Sequence, residues 1–275
     1  MDLQILLTND DGIHAPGIRS LHRELVLAGY RVFVVAPLTV QSATSHSITY
    51  ETPLMTEVVP MDLDFTTEVE TGIAVNGRPA DCTKLAVKRL WPERFGEGTG
   101  PDLVISGINA GANAGVNTLY SGTVAAAIEG AFLGVPAMAI SLMIGDRNKT
   151  RFDIAARHAL KAIQLLIAEG LPDPGTILNV NIPRTESETE FPEMMVGPIN
   201  LHAHRDHYEA RISPAGQPYY WAAGDGMQFY GTSGGSDVEI VSAGKISVTP
   251  MNYDLTDHSA LDYYRERIKR ITEQV

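Results

Sequence analysis

The stretch Leu3-Gln4-Ile5-Leu6-Leu7-Thr8-Asn9-Asp10-Asp11-Gly12 constrains this chain more than any other. Four of its first five residues are apolar, and two acids then follow side by side. A short apolar run that closes on a turn signal reads as a buried strand of a parallel sheet. Ligands of open parallel sheets sit beyond the carboxyl ends of the strands, which is where Asp10 and Asp11 fall. Adjacent carboxylates there repel each other and lose solvation unless a cation or another donor compensates. Two readings follow: a bound divalent metal, or a solvated turn built from common turn residues.

The rest of the chain supplies the partners of that strand. Ile18, Leu21, Leu25 and Ala28 recur at helical spacing and Gly29 closes the helix. Arg31 to Ala36 is a second apolar strand, which makes a βαβ unit. Residues 51–75 alternate loosely, as edge strands do. Asp81 is placed to start a helix carrying Cys82, Leu85, Ala86 and Leu90. Pro101 to Ser106 is a third strand, followed by a glycine-rich loop from Gly107 to Gly115 and a helix over Val124 to Leu133. Pro136 to Leu142 is a strand, Phe152 to Ala168 an amphipathic helix, and Gly175 to Asn181 a further strand.

The character changes after Pro183. Residues 184–245 are polar, rich in Gly and Pro, and carry Tyr219, Tyr220, Trp221, Phe229 and Tyr230. Hairpins and extended arms fit this better than more βαβ units. A late strand, 245–249, is free to return to the core. The helix over 259–272 presents Leu261, Tyr264, Ile268 and Ile271 on one face, a stripe that needs cover from its own body or another subunit. The fold class is therefore α/β. A core over 1–183 has a mostly parallel sheet flanked by helices, and 184–275 forms a C-terminal extension of hairpins and a terminal helix.

Charge and cysteine content narrow the function. Lys plus Arg number 21 against 33 acids, a formal charge of −12. That balance argues against a nucleic-acid polymer or an anionic membrane as partner. The single cysteine, Cys82, permits no internal disulfide and reads as a buried small apolar residue. No run approaches a membrane span, and a cytoplasmic protein is expected.

Three strand ends deliver candidate groups: Asn9, Asp10 and Asp11; then Ser42, Thr44, Ser45, His46 and Ser47; then Asn109, Asn113, Ser121 and Thr123. The good ligands among them are oxygen donors, which suit a hard cation such as Mg²⁺ or Mn²⁺. Ser121-Gly122-Thr123 precedes a helix, whose free N–H groups and dipole favour an anion. A cation beside an anion cradle is the arrangement that phosphate-ester hydrolysis needs. Plainer readings stand beside this one: a helix cap for Ser121 or Thr123, left-handed turns for Asn109 and Asn113, a solvated loop position for His46. A nucleotide- or phosphate-binding sensor without turnover is the alternative on the same fold. His202, His204 and His207 lie in the polar arm, far in sequence from the strand ends.

The combined motifs resemble the survival protein SurE family. They are Thr8-Asn9-Asp10-Asp11-Gly12, Val34-Val35-Ala36-Pro37, the segment Gln41 to Thr49, Val75 to Cys82, Ser106 to Asn113 and Tyr120 to Ala127. Tyr219-Tyr220-Trp221, Ile246 to Pro250 and Asp254-Leu255-Thr256 look like the family's C-terminal half. The resemblance implies a Rossmann-like fold and a metal-dependent 5′/3′-nucleotidase of the cytoplasm. Such an enzyme acts on nucleoside monophosphates and often on short polyphosphate. It implies one divalent cation per subunit on Asp10, Asp11, Ser42 and Asn109. Phosphate-facing groups would be Asn9, Asn113, Ser121, Gly122 and Thr123, with a site role for His46. It also implies a homodimer or homotetramer that exchanges C-terminal elements. Gly234-Gly235-Ser236-Asp237 departs from the family's Gly-Thr-Asp, and the arm over 184–218 aligns poorly.

Overall fold

The computed structural model describes residues 3–61, 63, 65, 70–187, 190–223 and 226–273. The first acidic turn follows β1 (Gln4–Thr8), which lies inside the sheet with β2 (Arg31–Pro37) on one side and β5 (Leu103–Ala110) on the other. Both pairings are parallel, with Ile5 opposite Val32 and Leu103. The side chains of β1 explain the placement. Ile5 and Leu7 enter one core layer and Leu6 the other, all fully buried, as expected of a strand covered on both faces.

Helices supply the two covers. α1 (Pro16–Leu27) and α5 (Phe152–Leu166) pack together on one face. Their inward residues include Ile18, Leu21, Leu25, Ile154, Ala155, Ala159, Ala162 and Ile163. Gly29, at φ +86°, ends the α1 segment in a conformation that glycine adopts without strain. α2 (Pro79–Leu85) and α4 (Gly122–Phe132) pack together, and Cys82, Ala86, Val124 and Ala127 from this region join Leu6 and Phe33 in the second core layer. α3 (Trp91–Phe95) closes that layer, its Trp91 ring set against Phe33.

The sheet continues through β6 (Ala137–Leu142) and β7 (Ile177–Ile182). At its other end lie β4 (Thr71–Val75) and, antiparallel at the edge, β3 (Thr56–Pro60). The extension also joins it. β11 (Ile246–Met251) pairs antiparallel with β7, and β8 (Met194–Val196) pairs parallel with β11 at the far edge. β9 (His207–Ile212) and β10 (Pro218–Ala223) form a separate hairpin.

Several boundaries differ from the sequence expectation. β5 runs four residues past Ser106, because Asn109 and Ala110 find partners in Ser141 and Leu142 after a register shift. The helix expected at Asp81 begins at Pro79; Asp81 sits one turn in, where its carboxylate accepts the Arg78 N–H at 2.9 Å. α6 (Asp237–Ser242) was hidden in the polar arm, since six residues are too few to show a helical period. α7 (Leu261–Thr272) forms as expected, but its own chain does not cover it: Tyr264, Ile268 and Ile271 are each more than half exposed. No described helix is long and apolar enough to cross a membrane.

Candidate active site

A cleft of about 650 Å³ opens at the carboxyl ends of β1, β5 and β6. Asp10, Asp11, Ser42, Asn109, Asn113, Ser121 and Arg147 all line it, together with Tyr120 and Met227. Groups from six separate stretches therefore meet where the parallel strands end.

Asp10 is nearly buried and its carboxylate accepts the hydroxyl of Thr123. Its backbone carbonyl accepts the Gln41 N–H at 2.8 Å, which ties the 38–50 segment to the acidic turn. Burial pushes the Asp10 carboxyl up to about 6; the Thr123 hydrogen bond opposes this and the neighbouring Asp11 charge adds to it. Burial also raises Asp11, against the N–H of Ala110, 2.8 Å from Oδ2, and the positive charge of Arg147. For these neighbouring carboxyls, Asp10 buried and Asp11 half-buried, the cost of burial outweighs the hydrogen bonds the chain gives them.

Gly122 explains how α4 approaches so closely. A Cβ there would stand 2.9 Å from Asp10 Cβ and 3.0 Å from Pro79 Cγ. Only glycine lets the first turn of α4 lie against the acid. Ser121 caps the helix by accepting the Val124 N–H at 3.1 Å. A hydroxyl used as acceptor still has its proton to donate, and Ser121 lines the cleft.

The two asparagines are held differently. Asn109 donates Nδ2 to the Gly111 carbonyl at 2.7 Å, which leaves its amide oxygen for a ligand. Asn113 is held by side chains: Asn181 Oδ1 accepts its N–H at 2.8 Å, and Asn179 Nδ2 donates to its carbonyl at 2.8 Å. Its Nδ2 donates to Ser141 Oγ at 2.9 Å. The loop beyond is braced from the extension, where buried Asp237 accepts the Gly115 N–H at 2.8 Å.

Other expected site residues stand elsewhere. Asn9 does not line the cleft; its carboxamide donates to the Gly12 carbonyl and accepts the Gly12 N–H, so it shapes the turn. Thr123 is fully buried and spends its hydroxyl on Asp10, and Gly122 is buried beneath the same acid. His46 does not line the cleft either. Its Nε2 lies 2.8 Å from Oε2 of the buried Glu129, which also pairs with Lys84 at 3.0 Å. Burial would raise the Glu129 carboxyl, but His46 and Lys84 outweigh it and hold it below its ordinary value. The hydroxyls of Thr44 and Ser47 bond to carbonyls of their own turn. In the polar arm, His204 packs on Phe229 and His207 opens β9.

Sequence reasoning missed Arg147, Ser141, Asn179, Asn181 and Asp237. Asn179 and Asn181 carried a signal, two amides at period two within an apolar strand. Arg147 carried only its position, just after a strand end.

Fold and cleft together define an α/β protein with a cleft at the carboxyl edge of a mostly parallel sheet, acidic at one end and amide-rich at the other. A family model described as survival protein SurE matches residues 5–204. The 5′-nucleotidase SurE of Symbiobacterium thermophilum is 43% identical over 265 residues, covering 95% of this chain and 97% of its own. That of Heliobacterium modesticaldum is 42% identical over 259 residues, covering 94% and 89%. A crystal structure of the SurE protein from Aquifex aeolicus aligns with TM-score 0.75 at 36% identity, covering 96% of this chain and 99% of that one. The chain belongs to the SurE family.

Proposed function

We propose that this chain is a divalent-metal-dependent 5′-nucleotidase that releases phosphate from nucleoside 5′-monophosphates. The observation that carries the reading is the Asp10–Asp11 pair in one cleft, with buried Asp10 set against the N-terminus of α4. Relatives named 5′-nucleotidase SurE, aligned over nearly the whole chain, support it.

The residues present fit a hard cation. Asp10 and Asp11 bring carboxylates, Ser42 a hydroxyl and Asn109 a free amide oxygen, and no thiol or imidazole is among the described residues lining the cleft. Mg²⁺ or Mn²⁺, one per subunit, suits that set. When bound, the cation supplies charge that neutralises the phosphate and activates water.

The chain's own groups do the rest. Ser121 donates its hydroxyl proton to a phosphoryl oxygen, Asn113 offers its carboxamide, and the first N–H groups of α4 add a positive field. Thr123 and Gly122 act through Asp10, by fixing its carboxylate. Asp10 and Asp11 each accept a fixed hydrogen bond. They hold charge rather than attack phosphorus, and water is the nucleophile. His46 acts at one remove, by latching the segment that carries Ser42 to Glu129 on α4.

The same cleft admits nucleoside 3′-monophosphates and short polyphosphate, since its contacts are to the phosphate. Self-association uses the 184–275 extension: α7 is uncovered, and Tyr208, Tyr220 and Trp221 on the hairpin are exposed. A lone buried cysteine suits a reducing cytoplasm. The test is phosphate release from nucleoside 5′- and 3′-monophosphates and tripolyphosphate, with Mg²⁺ or Mn²⁺ and with chelator. Metal-dependent release from the 5′-monophosphates supports the proposal. No release from any compound by folded, metal-loaded protein removes it and leaves a phosphate-binding protein.

A further inference from the structure

Asn113 sits between the strand that ends at Ala110 and the helix that starts at Gly122. Its backbone and its amide nitrogen are all engaged by side chains of β6 and β7. Asn181 Oδ1 accepts the Asn113 N–H at 2.8 Å; Asn179 and Asn181 both donate Nδ2 to its carbonyl, at 2.8 and 3.2 Å. Ser141 Oγ takes its Nδ2 at 2.9 Å. Ser141, Asn179 and Asn181 are wholly buried. Ser141 and Asn181 are register partners on adjacent strands, and Asn179 is two residues before Asn181, on the same face.

Polar side chains in the middle of a sheet cost stability unless something is gained from them. Here one atom remains unsatisfied: Asn179 Oδ1 is buried without a hydrogen-bond partner among the described residues. Three apolar residues would fill this volume without that cost. What the polar ones achieve is to hold one loop residue by both ends of its peptide at the floor of the cleft.

We propose that Ser141, Asn179 and Asn181 are positioning residues that fix Asn113 as a phosphate contact, with the Ser141 hydroxyl setting which end of the Asn113 carboxamide faces the anion. This rests on the reading of Asn113 given above. A hydroxyl can donate or accept, so the Asn113–Ser141 pair exists in two polarities. With one N–H of Nδ2 on Ser141, the groups of Asn113 without a partner are Oδ1 and the second N–H. When Ser141 instead donates to Oδ1, the amide N–H groups are the free end, and a phosphoryl oxygen finds a donor. Ser141 thus lets one residue meet phosphate without movement of its backbone. Because the backbone of Asn113 is fixed, the change is confined to a turn of its carboxamide, and little else reorganises when charge develops.

The experiment uses full-length, metal-loaded protein with Ser141→Ala, Asn181→Ala and the control Ser247→Ala. Ser247 is the buried register partner of Asn181 on β11, with no bond to Asn113. Three quantities are measured for each: thermal midpoint, binding of inorganic phosphate by calorimetry, and kcat and KM for a nucleoside 5′-monophosphate. The expected result is phosphate affinity weakened at least tenfold, with kcat reduced, in Ser141→Ala and Asn181→Ala. Ser247→Ala keeps wild-type phosphate affinity and kinetics. Equal losses of thermal midpoint in all three with phosphate affinity unchanged would overturn the proposal and leave a purely structural role. Wild-type protein that binds phosphate without turnover would remove the nucleotidase reading alone, and the calorimetric comparison would still decide the positioning role.

Discussion

The Thr123 hydroxyl donates to the Asp10 carboxylate, so the second residue of α4 orients the acid that ends β1. The bond spans 113 positions in sequence and joins the acidic turn after β1 to the N-terminus of α4.

Thr123→Val keeps the shape of the side chain and removes that donor. Residues that orient metal-binding carboxylates typically contribute 10–100-fold in metal affinity or activity. We expect kcat/KM to fall by about that factor, with metal affinity measured by titration weakened in parallel. Unchanged metal affinity would contradict the role given to Thr123.

Gly122→Ala is a test of close approach. The added methyl would stand 2.9 Å from Asp10 Cβ and 3.0 Å from Pro79 Cγ, closer than carbon atoms pack. Alanine is the better helix former, so the expected outcome is lost metal binding and activity in a protein that remains folded by circular dichroism. Wild-type activity in the variant would show that Asp10 can move without consequence.

Asp10 also predicts a trade of stability for function in chelator-treated protein. Its folded value, about 6, lies above the ordinary 3.8. Stability from this group is therefore greatest at low pH and is lost as pH rises through 6, a cost of about 3 kcal/mol at neutral pH. In chelator, Asp10→Asn should melt higher than wild type at pH 8, and the gain should vanish by pH 4. A variant that melts lower at pH 8 would contradict the cause assigned to the shift.

Glu129 behaves in the opposite sense. His46 and Lys84 hold its carboxyl below the ordinary 4.5, so its contribution is complete above 4.5 and disappears as pH falls through the lowered value. Glu129→Gln leaves both partners without the charge they pair with and should cost roughly 2 kcal/mol at pH 7. The difference in thermal midpoint from wild type should shrink below pH 4.5. A difference that is constant with pH would mean that the ion pairs contribute nothing.

α7 is a test of assembly. Its apolar stripe, Tyr264, Ile268 and Ile271, is more than half exposed. Removing 261–275 should lower the solution mass measured by light scattering to that of one chain. An unchanged mass would place the self-contact elsewhere, with the β9–β10 hairpin the next surface to test.

Much of this was legible because local pattern and burial agree. The run from Leu3 to Leu7 has no polar residue but Gln4, and it became a strand buried on both faces. The stripe on α7 was visible for the same reason; whether its own body or another subunit covers it was left open, and the exposure of Tyr264, Ile268 and Ile271 came from the structure. His46 was open between a solvated loop position and the site role the resemblance implied; its partner, a carboxylate 83 positions away, could not be read from the sequence. Asn9 was misleading in a local way, since a turn of its own chain satisfied both ends of its amide. Asn179 and Asn181 could not be assigned, because their partner Asn113 lies 66 and 68 positions away and nothing in β7 names it. β5 ran longer than expected because the partner strand, and not its own glycine-rich sequence, decided where it ended.

The most direct test of the account is phosphate release from a nucleoside 5′-monophosphate by wild type and Asp10→Asn, each with saturating Mg²⁺ or Mn²⁺ and with chelator. The account predicts release by wild type only when metal is supplied, and its near-complete loss in the folded variant. Release that persists in chelator, or in Asp10→Asn at the wild-type rate, would contradict a metal-dependent site built on the Asp10–Asp11 pair.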